Sequence, residues 1–148
     1  MTYNIASLEE LERWVHTFLG ALPFQKDTAT IITLSGDLGV GKTSFVKCCA
    51  QYFGITDDVT SPTFVIQKEY DIQKHSYFKK LTHIDAYRLE SSADLEYLRW
   101  SDTIQEKRNI IFCEWPEMVE GVFLPNHISI HIAIGEGASR IITVLENS

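Results

Sequence analysis

The chain has 148 residues, the size of one ordinary domain, and its 45% hydrophobic and 22% charged composition excludes the disordered and fibrous classes. Twenty acidic against thirteen basic residues give a formal net charge of −7, the reverse of the balance carried by proteins that grip nucleic acid directly. No apolar run approaches the roughly 20 residues of a spanning helix, and Glu9, Glu10 and Glu12 stand where a secretory leader would be basic and then apolar, so a cytoplasmic protein is expected. Cys48, Cys49 and Cys113 show neither CxxC nor Cys/His spacing and read as reduced thiols rather than zinc ligands.

In chain order, Ser7-Leu8-Glu9-Glu10 has the form of a capping box. Leu8, Leu11, Trp14, Val15, Phe18, Leu19 and Leu22 follow at helical spacing, which predicts an amphipathic helix ending before Pro23. Ala29 to Ser35 reads as a buried strand running into Gly36, and Lys42 to Phe53 as a helix closed by Gly54. Asp57 to Pro62 is turn-rich. Thr63 to Tyr70 and Tyr77 to Tyr87 alternate apolar and polar residues, and the polar stretch Asp71 to Ser76 suits a hairpin between them. Ser91 or Ser92 can cap a short helix through Asp94, Leu95 and Leu98. Asn109 to Cys113 is a short buried strand, and the alternating isoleucines from Ile128 to Ile134 and the run Ile141 to Leu145 complete the pattern around the Gly135-Glu136-Gly137 turn. The expectation is one α/β domain over residues 1–148, a mixed central sheet flanked by helices, with antiparallel strands toward the C-terminus.

Gly36-Asp37-Leu38-Gly39-Val40-Gly41-Lys42-Thr43 matches the phosphate-loop pattern G-x-x-x-x-G-K-[ST] in full. Its glycines permit positive φ and let backbone N–H groups approach phosphate oxygens, and the helix that follows adds its positive end. From this chain's own residue frequencies a chance match is expected in roughly three chains in a thousand. The motif also follows a predicted strand and opens a predicted helix, as that chemistry requires. Residues 36–44, from Gly36 to Ser44, are therefore the expected nucleotide cradle, with Lys42 on the β- and γ-phosphates and the Thr43 hydroxyl on Mg²⁺.

A phosphate loop needs an acid at the end of a neighbouring strand to hold the metal. Glu114 follows the apolar run Ile110-Ile111-Phe112-Cys113, and Asp85 follows Leu81-Thr82-His83-Ile84; Glu114 is expected as a metal-side ligand and Asp85 as a group positioning water. Three residues keep two readings each. His83 is a satisfied sheet histidine or a catalytic one, Arg88 pairs with an acid or reaches the nucleotide, and Trp115 packs in the core or covers the nucleotide. The segment Ser61-Pro62-Thr63-Phe64 lies where nucleotide-sensing switch segments sit in other P-loop proteins.

The phosphate loop, Ser61-Pro62-Thr63-Phe64, His83-Ile84-Asp85-Ala86-Tyr87-Arg88-Leu89 and Glu114-Trp115-Pro116-Glu117, taken in this order, resemble the TsaE (YjeE) family, small bacterial P-loop ATPases of tRNA threonylcarbamoyladenosine biosynthesis. The resemblance implies a Mg²⁺-dependent ATPase that is slow alone. Its implied partners are the threonylcarbamoyl transferase and that enzyme's inactive paralogue, a heterodimer that hydrolysis resets for modification of adenosine 37 in tRNAs reading codons that begin with adenine. Contact with tRNA would be indirect. By the same resemblance Lys42, Asp85 and Glu114 are catalytic, Thr43 and Glu114 hold the metal, and Trp115 lies near the nucleotide. Val40 stands where alanine is commoner, and Leu98-Arg99-Trp100-Ser101-Asp102 replaces the usual Leu-Gly and acidic stretch.

The alternative is a small-molecule or nucleoside kinase on the same loop. A kinase lid usually bears arginines, and this chain has five, dispersed at positions 13, 88, 99, 108 and 140. A regulatory GTPase would carry an Asn-Lys-x-Asp segment, which is lacking here.

Overall fold

The computed structural model describes residues 1–60 and 66–146. Seven strands form one mixed sheet: β1 (Thr2–Ile5), β2 (Thr30–Ser35), β3 (Gln67–Asp71), β4 (Lys80–Asp85), β5 (Asn109–Glu114), β6 (Ile128–Ile134) and β7 (Arg140–Glu146). Their spatial order is β1-β7-β6-β2-β5-β4-β3. The four central strands, β6, β2, β5 and β4, run parallel, while β3, β7 and β1 pair antiparallel at the two sides. The expected mixed sheet with an antiparallel C-terminal pair is therefore found.

Parallel strands are covered on both faces, and their sequences show it. Every residue of β5 is buried, as is all of β2 except Ser35. Alternation then divides the side chains. Ile32, Leu34, Ile110, Phe112 and Leu81 pack with Val15 and Leu19 of α1 (Leu8–Gly20) and Phe45, Val46 and Cys49 of α2 (Lys42–Tyr52). Ile31, Ile111, Cys113 and Ile84 face the opposite way, onto Leu95 of α3 (Ala93–Glu96), Trp100 of α4 (Trp100–Thr103) and Val119 of a 3₁₀ turn at Pro116–Val119. All three cysteines are free and buried.

Local chemistry sets the helix ends. The Ser7 hydroxyl accepts from the Glu10 N–H at 3.2 Å, and the Glu10 carboxylate accepts from the Ala6 N–H at 2.8 Å. The Ser7 half of the anticipated capping box is thus formed, while Glu10 reaches one residue further back, to Ala6, and α1 stops at Gly20. The antiparallel β3–β4 pair is the expected hairpin, with Gln67–Asp71 and Lys80–Asp85 as its strands among the described residues. Ser92 stands before α3 but makes no side-chain cap; the Asp94 carboxylate instead accepts from the Glu90 and Ser91 N–H groups. Strand β1 is unanticipated: four residues are too few to establish a period, and it is stabilised by pairing with the far end of the chain. Helix α4 and the 3₁₀ turn are also additions, each entered through a residue of positive φ, Arg99 (58°) and Trp115 (59°). The segment Ser61-Pro62-Thr63-Phe64 lies outside the described residues. Among those described, no helix is long and apolar enough to cross a membrane.

Candidate phosphate-binding site

Strand β2 ends in the loop Gly36–Gly41, and α2 begins at Lys42 directly behind it. Gly36 has φ of +142°, and a Cβ there would collide with the backbone carbonyl oxygen of Ile132 on β6, so only glycine lets the loop leave the sheet at this point. Gly41, at φ +115°, is the N-cap of α2 and offers no side-chain cap, and the first turn contains no acidic residue. The first-turn N–H groups and the positive end of an 11-residue helix are thereby left to face an anion.

Lys42 is buried at this turn. Its ammonium donates to the carbonyl oxygens of Gly36 (2.6 Å) and Asp37 (3.0 Å) and lies 4.0 Å from the centre of the Trp115 ring. Burial lowers its pKa, against the opposing pull of Glu114, Glu117, Asp85 and Asp37. From the sheet side, Arg140 on β7 donates its Nε–H to the Val40 carbonyl at 2.9 Å and its Nη1 to the carbonyls of Ala138 and Ser139.

Strand alternation brings the acids to the same place. Asp85 and Glu114 are register partners at the C-terminal tips of β4 and β5, on the face that carries α2. The Thr43 hydroxyl donates to the Glu114 carboxylate, 3.0 Å from Oε2 and 3.2 Å from Oε1, and His83 Nε2 meets the same Oε2 at 2.6 Å. Asp85 is buried and its Oδ1 accepts from the Tyr87 N–H at 2.9 Å. Trp115 donates its backbone N–H to the Leu34 carbonyl, and its ring centre lies 5.0 Å from that of Tyr87.

These groups enclose a cleft of about 310 Å³ bounded by the loop, Thr43, Ser44, Asp85, Tyr87, Glu114 and Trp115. Lys42, Thr43, Ser44, Asp85, Glu114 and Trp115 all line this one cleft. Of the loop residues, Leu38 is 76% exposed at the rim, whereas the Val40 side chain turns into the core with only its backbone on the loop. Arg88 is exposed and does not line the cleft. A second, mainly apolar cavity of about 250 Å³ adjoins the first across Gly41 and Ser44, with Leu8, Leu11, Ile132 and Arg140 in its walls.

The donor set fits a small hard cation. No group of three His, Cys, Asp or Glu side chains is disposed to hold a metal among the described residues. Thr43 and Glu114 nevertheless converge two oxygen donors at the mouth of an anion cradle. Mg²⁺ commonly takes one or two protein oxygens and completes its shell with phosphate and water. Tyr87 and Arg140 escape the sequence reading as site residues, and His83 enters it without its partner. Tyr87 stands within the motif His83 to Leu89 but has no role assigned there, Arg140 lies in no motif, and the His83–Glu114 contact depends on which strands are neighbours.

A sheet with a parallel centre, a glycine-rich loop leading from it into a helix, and carboxylates on the adjoining strand tips defines a P-loop α/β protein. The chain belongs to the TsaE family: the model for threonylcarbamoyl adenosine biosynthesis protein TsaE matches residues 5–142. A Synechocystis protein named tRNA threonylcarbamoyladenosine biosynthesis protein TsaE is 37% identical over 120 residues, covering 79% of this chain and 71% of that protein. The protein of the same name from Borreliella burgdorferi is 34% identical over 118 residues, covering 80% of each. In three dimensions the chain is similar to the crystal structure of Bacillus subtilis YdiB, with a TM-score of 0.77 and 25% identity over all of this chain and 86% of the other.

Proposed function

We propose that this chain acts as one P-loop domain that binds ATP with Mg²⁺ and hydrolyses it in tRNA threonylcarbamoyladenosine biosynthesis. Its partner in this reading is the heterodimer of the threonylcarbamoyl transferase and its inactive paralogue, which hydrolysis resets between rounds, with tRNA met through those partners. The observation that carries the ATPase reading is the convergence of the Thr43 hydroxyl and the Glu114 carboxylate, 3.0 Å apart, beside Lys42 at the uncapped start of α2. Membership in the TsaE family supports the pathway.

In this reading the polyphosphate lies along the N–H groups of the loop, and the apolar cavity beyond Gly41 and Ser44 receives the nucleoside end. Lys42 gives up the Gly36 and Asp37 carbonyls for phosphate oxygens, exchanging neutral acceptors for charged ones. Thr43 and Glu114 would hold Mg²⁺, which would supply positive charge to offset the charge that develops as the γ-phosphoryl departs. Asp85, beside Glu114 on the neighbouring strand tip, orients the attacking water. Trp115 and Tyr87 cover the mouth and limit access of bulk solvent. No arginine lines the phosphate cleft among the described residues, which weighs against a kinase.

Calorimetric titration with Mg·ATP, paired with measurement of free phosphate, tests this. The intact chain should bind and slowly release phosphate, faster with the heterodimer present, and Lys42→Ala should weaken binding by at least about tenfold, the loss of one charge-assisted contact. Absence of binding heat from the folded chain would overturn the proposal, and phosphate transferred to a metabolite without release would favour the kinase.

A further inference from the structure

His83 places a polar ring on a strand face beside the apolar Leu81 and Phe112. It is fully buried in the middle of β4, registered with Phe112 on β5, and its face of the strand also carries Leu81 and Asp85. One ring nitrogen, Nδ1, has no hydrogen-bond partner among the described residues. Buried polar atoms are nearly always paired, so one left unpaired calls for a reason to keep the imidazole.

The other ring nitrogen supplies that reason. Nε2 lies 2.6 Å from Glu114 Oε2, and an ionised carboxylate only accepts, so the proton on Nε2 is donated to Glu114. Glu114 accepts in turn from the Thr43 hydroxyl. A chain of contacts therefore runs from the closed interior of the sheet, through the carboxylate, to the first turn of α2. We infer that His83 is a positioning residue, which holds Glu114 Oε2, the oxygen that also faces Thr43, and so fixes the direction in which the carboxylate faces the metal and Thr43. The inference rests on the Mg²⁺–nucleotide reading above and adds a residue that acts through Glu114 without touching nucleotide. Partners of this kind commonly alter metal affinity or activity 10- to 100-fold, roughly, when removed.

The test uses the full chain with ADP and Mn²⁺ as probes. Mn²⁺ half-saturation of the ADP complex is read by electron paramagnetic resonance, and ADP affinity in EDTA by calorimetry. His83→Leu should raise the Mn²⁺ half-saturation about tenfold or more, with ADP affinity in EDTA within about twofold of the parent. His83→Gln, whose amide N–H can reach the same carboxylate oxygen, should recover most of the loss, and the shorter His83→Asn should not. Should His83→Leu fail to fold, the Gln and Asn pair decides by the same readings. An unshifted Mn²⁺ response in His83→Leu, a Gln variant no better than Asn, or an equal loss of metal-free ADP affinity would each overturn the role of His83 alone. Failure of the parent chain to bind ADP would instead overturn the nucleotide reading on which it rests.

Discussion

Alanine at Gly36 probes how closely the end of β2 is pressed against β6. Two terms oppose the substitution: φ of +142°, which residues with a side chain rarely adopt, and a Cβ driven into the Ile132 carbonyl and the Val40 side chain. The carbonyl has little room to retreat, because Ile132 is paired with Ile142 on β7 and follows directly on the β2–β6 ladder. Gly39 isolates the first term, since its φ is also positive at +78° but an added Cβ would meet nothing within 4 Å. Gly39→Ala should therefore cost about 1–2 kcal/mol of backbone strain. Gly36→Ala should cost about 1–3 kcal/mol more for the forced contact. In a chain of this length each kcal/mol moves Tm by about 2–4 °C, so the expected losses are about 2–8 °C for Gly39→Ala and roughly 4–20 °C for Gly36→Ala. Thermal unfolding followed by circular dichroism measures both. A Gly36→Ala protein that melts no lower than Gly39→Ala would refute the steric argument.

The remaining predictions concern the cleft. Thr43→Ala and Glu114→Ala should each lower Mg²⁺-dependent hydrolysis by about 10²-fold or more while ATP affinity in EDTA changes little, because the lost oxygen matters most for charge that develops during transfer; steady-state phosphate release and calorimetry compare the two, and equal losses would contradict the assignment. With Trp14 and Trp100 replaced by phenylalanine, the fluorescence of Trp115 should respond to saturating nucleotide, since the ring lies 4.0 Å from the Lys42 ammonium that nucleotide is expected to draw away. A silent Trp115 would mark it as packing only.

What the sequence made legible was local or strictly periodic. The phosphate loop is a contiguous string whose letters answer to one ligand, so Gly36 to Thr43 could be read without a fold. Alternation in Leu81-Thr82-His83-Ile84-Asp85 and in Ile110 to Glu114 likewise put the acids at strand tips. The pairing of those tips was not readable, because Asp85 and Glu114 meet only through the order of strands. The same holds for Arg140, which reaches the Val40 carbonyl from 100 positions away, and for β1, whose four residues need β7 to become a strand. Trp115 and Arg99 adopt positive φ under tertiary pressure that no propensity announces.

The resting place of the Lys42 ammonium has a kinetic consequence. Tied to the carbonyls of Gly36 and Asp37 and roofed by an indole, the lysine acts as an internal template around which its own loop is already wound. The conformational entropy of shaping this loop is thus settled when the chain folds rather than at encounter with a ligand. A polyphosphate arriving here would trade places with two peptide oxygens instead of organising a slack segment, so its association should be governed by a side-chain swing rather than by loop ordering.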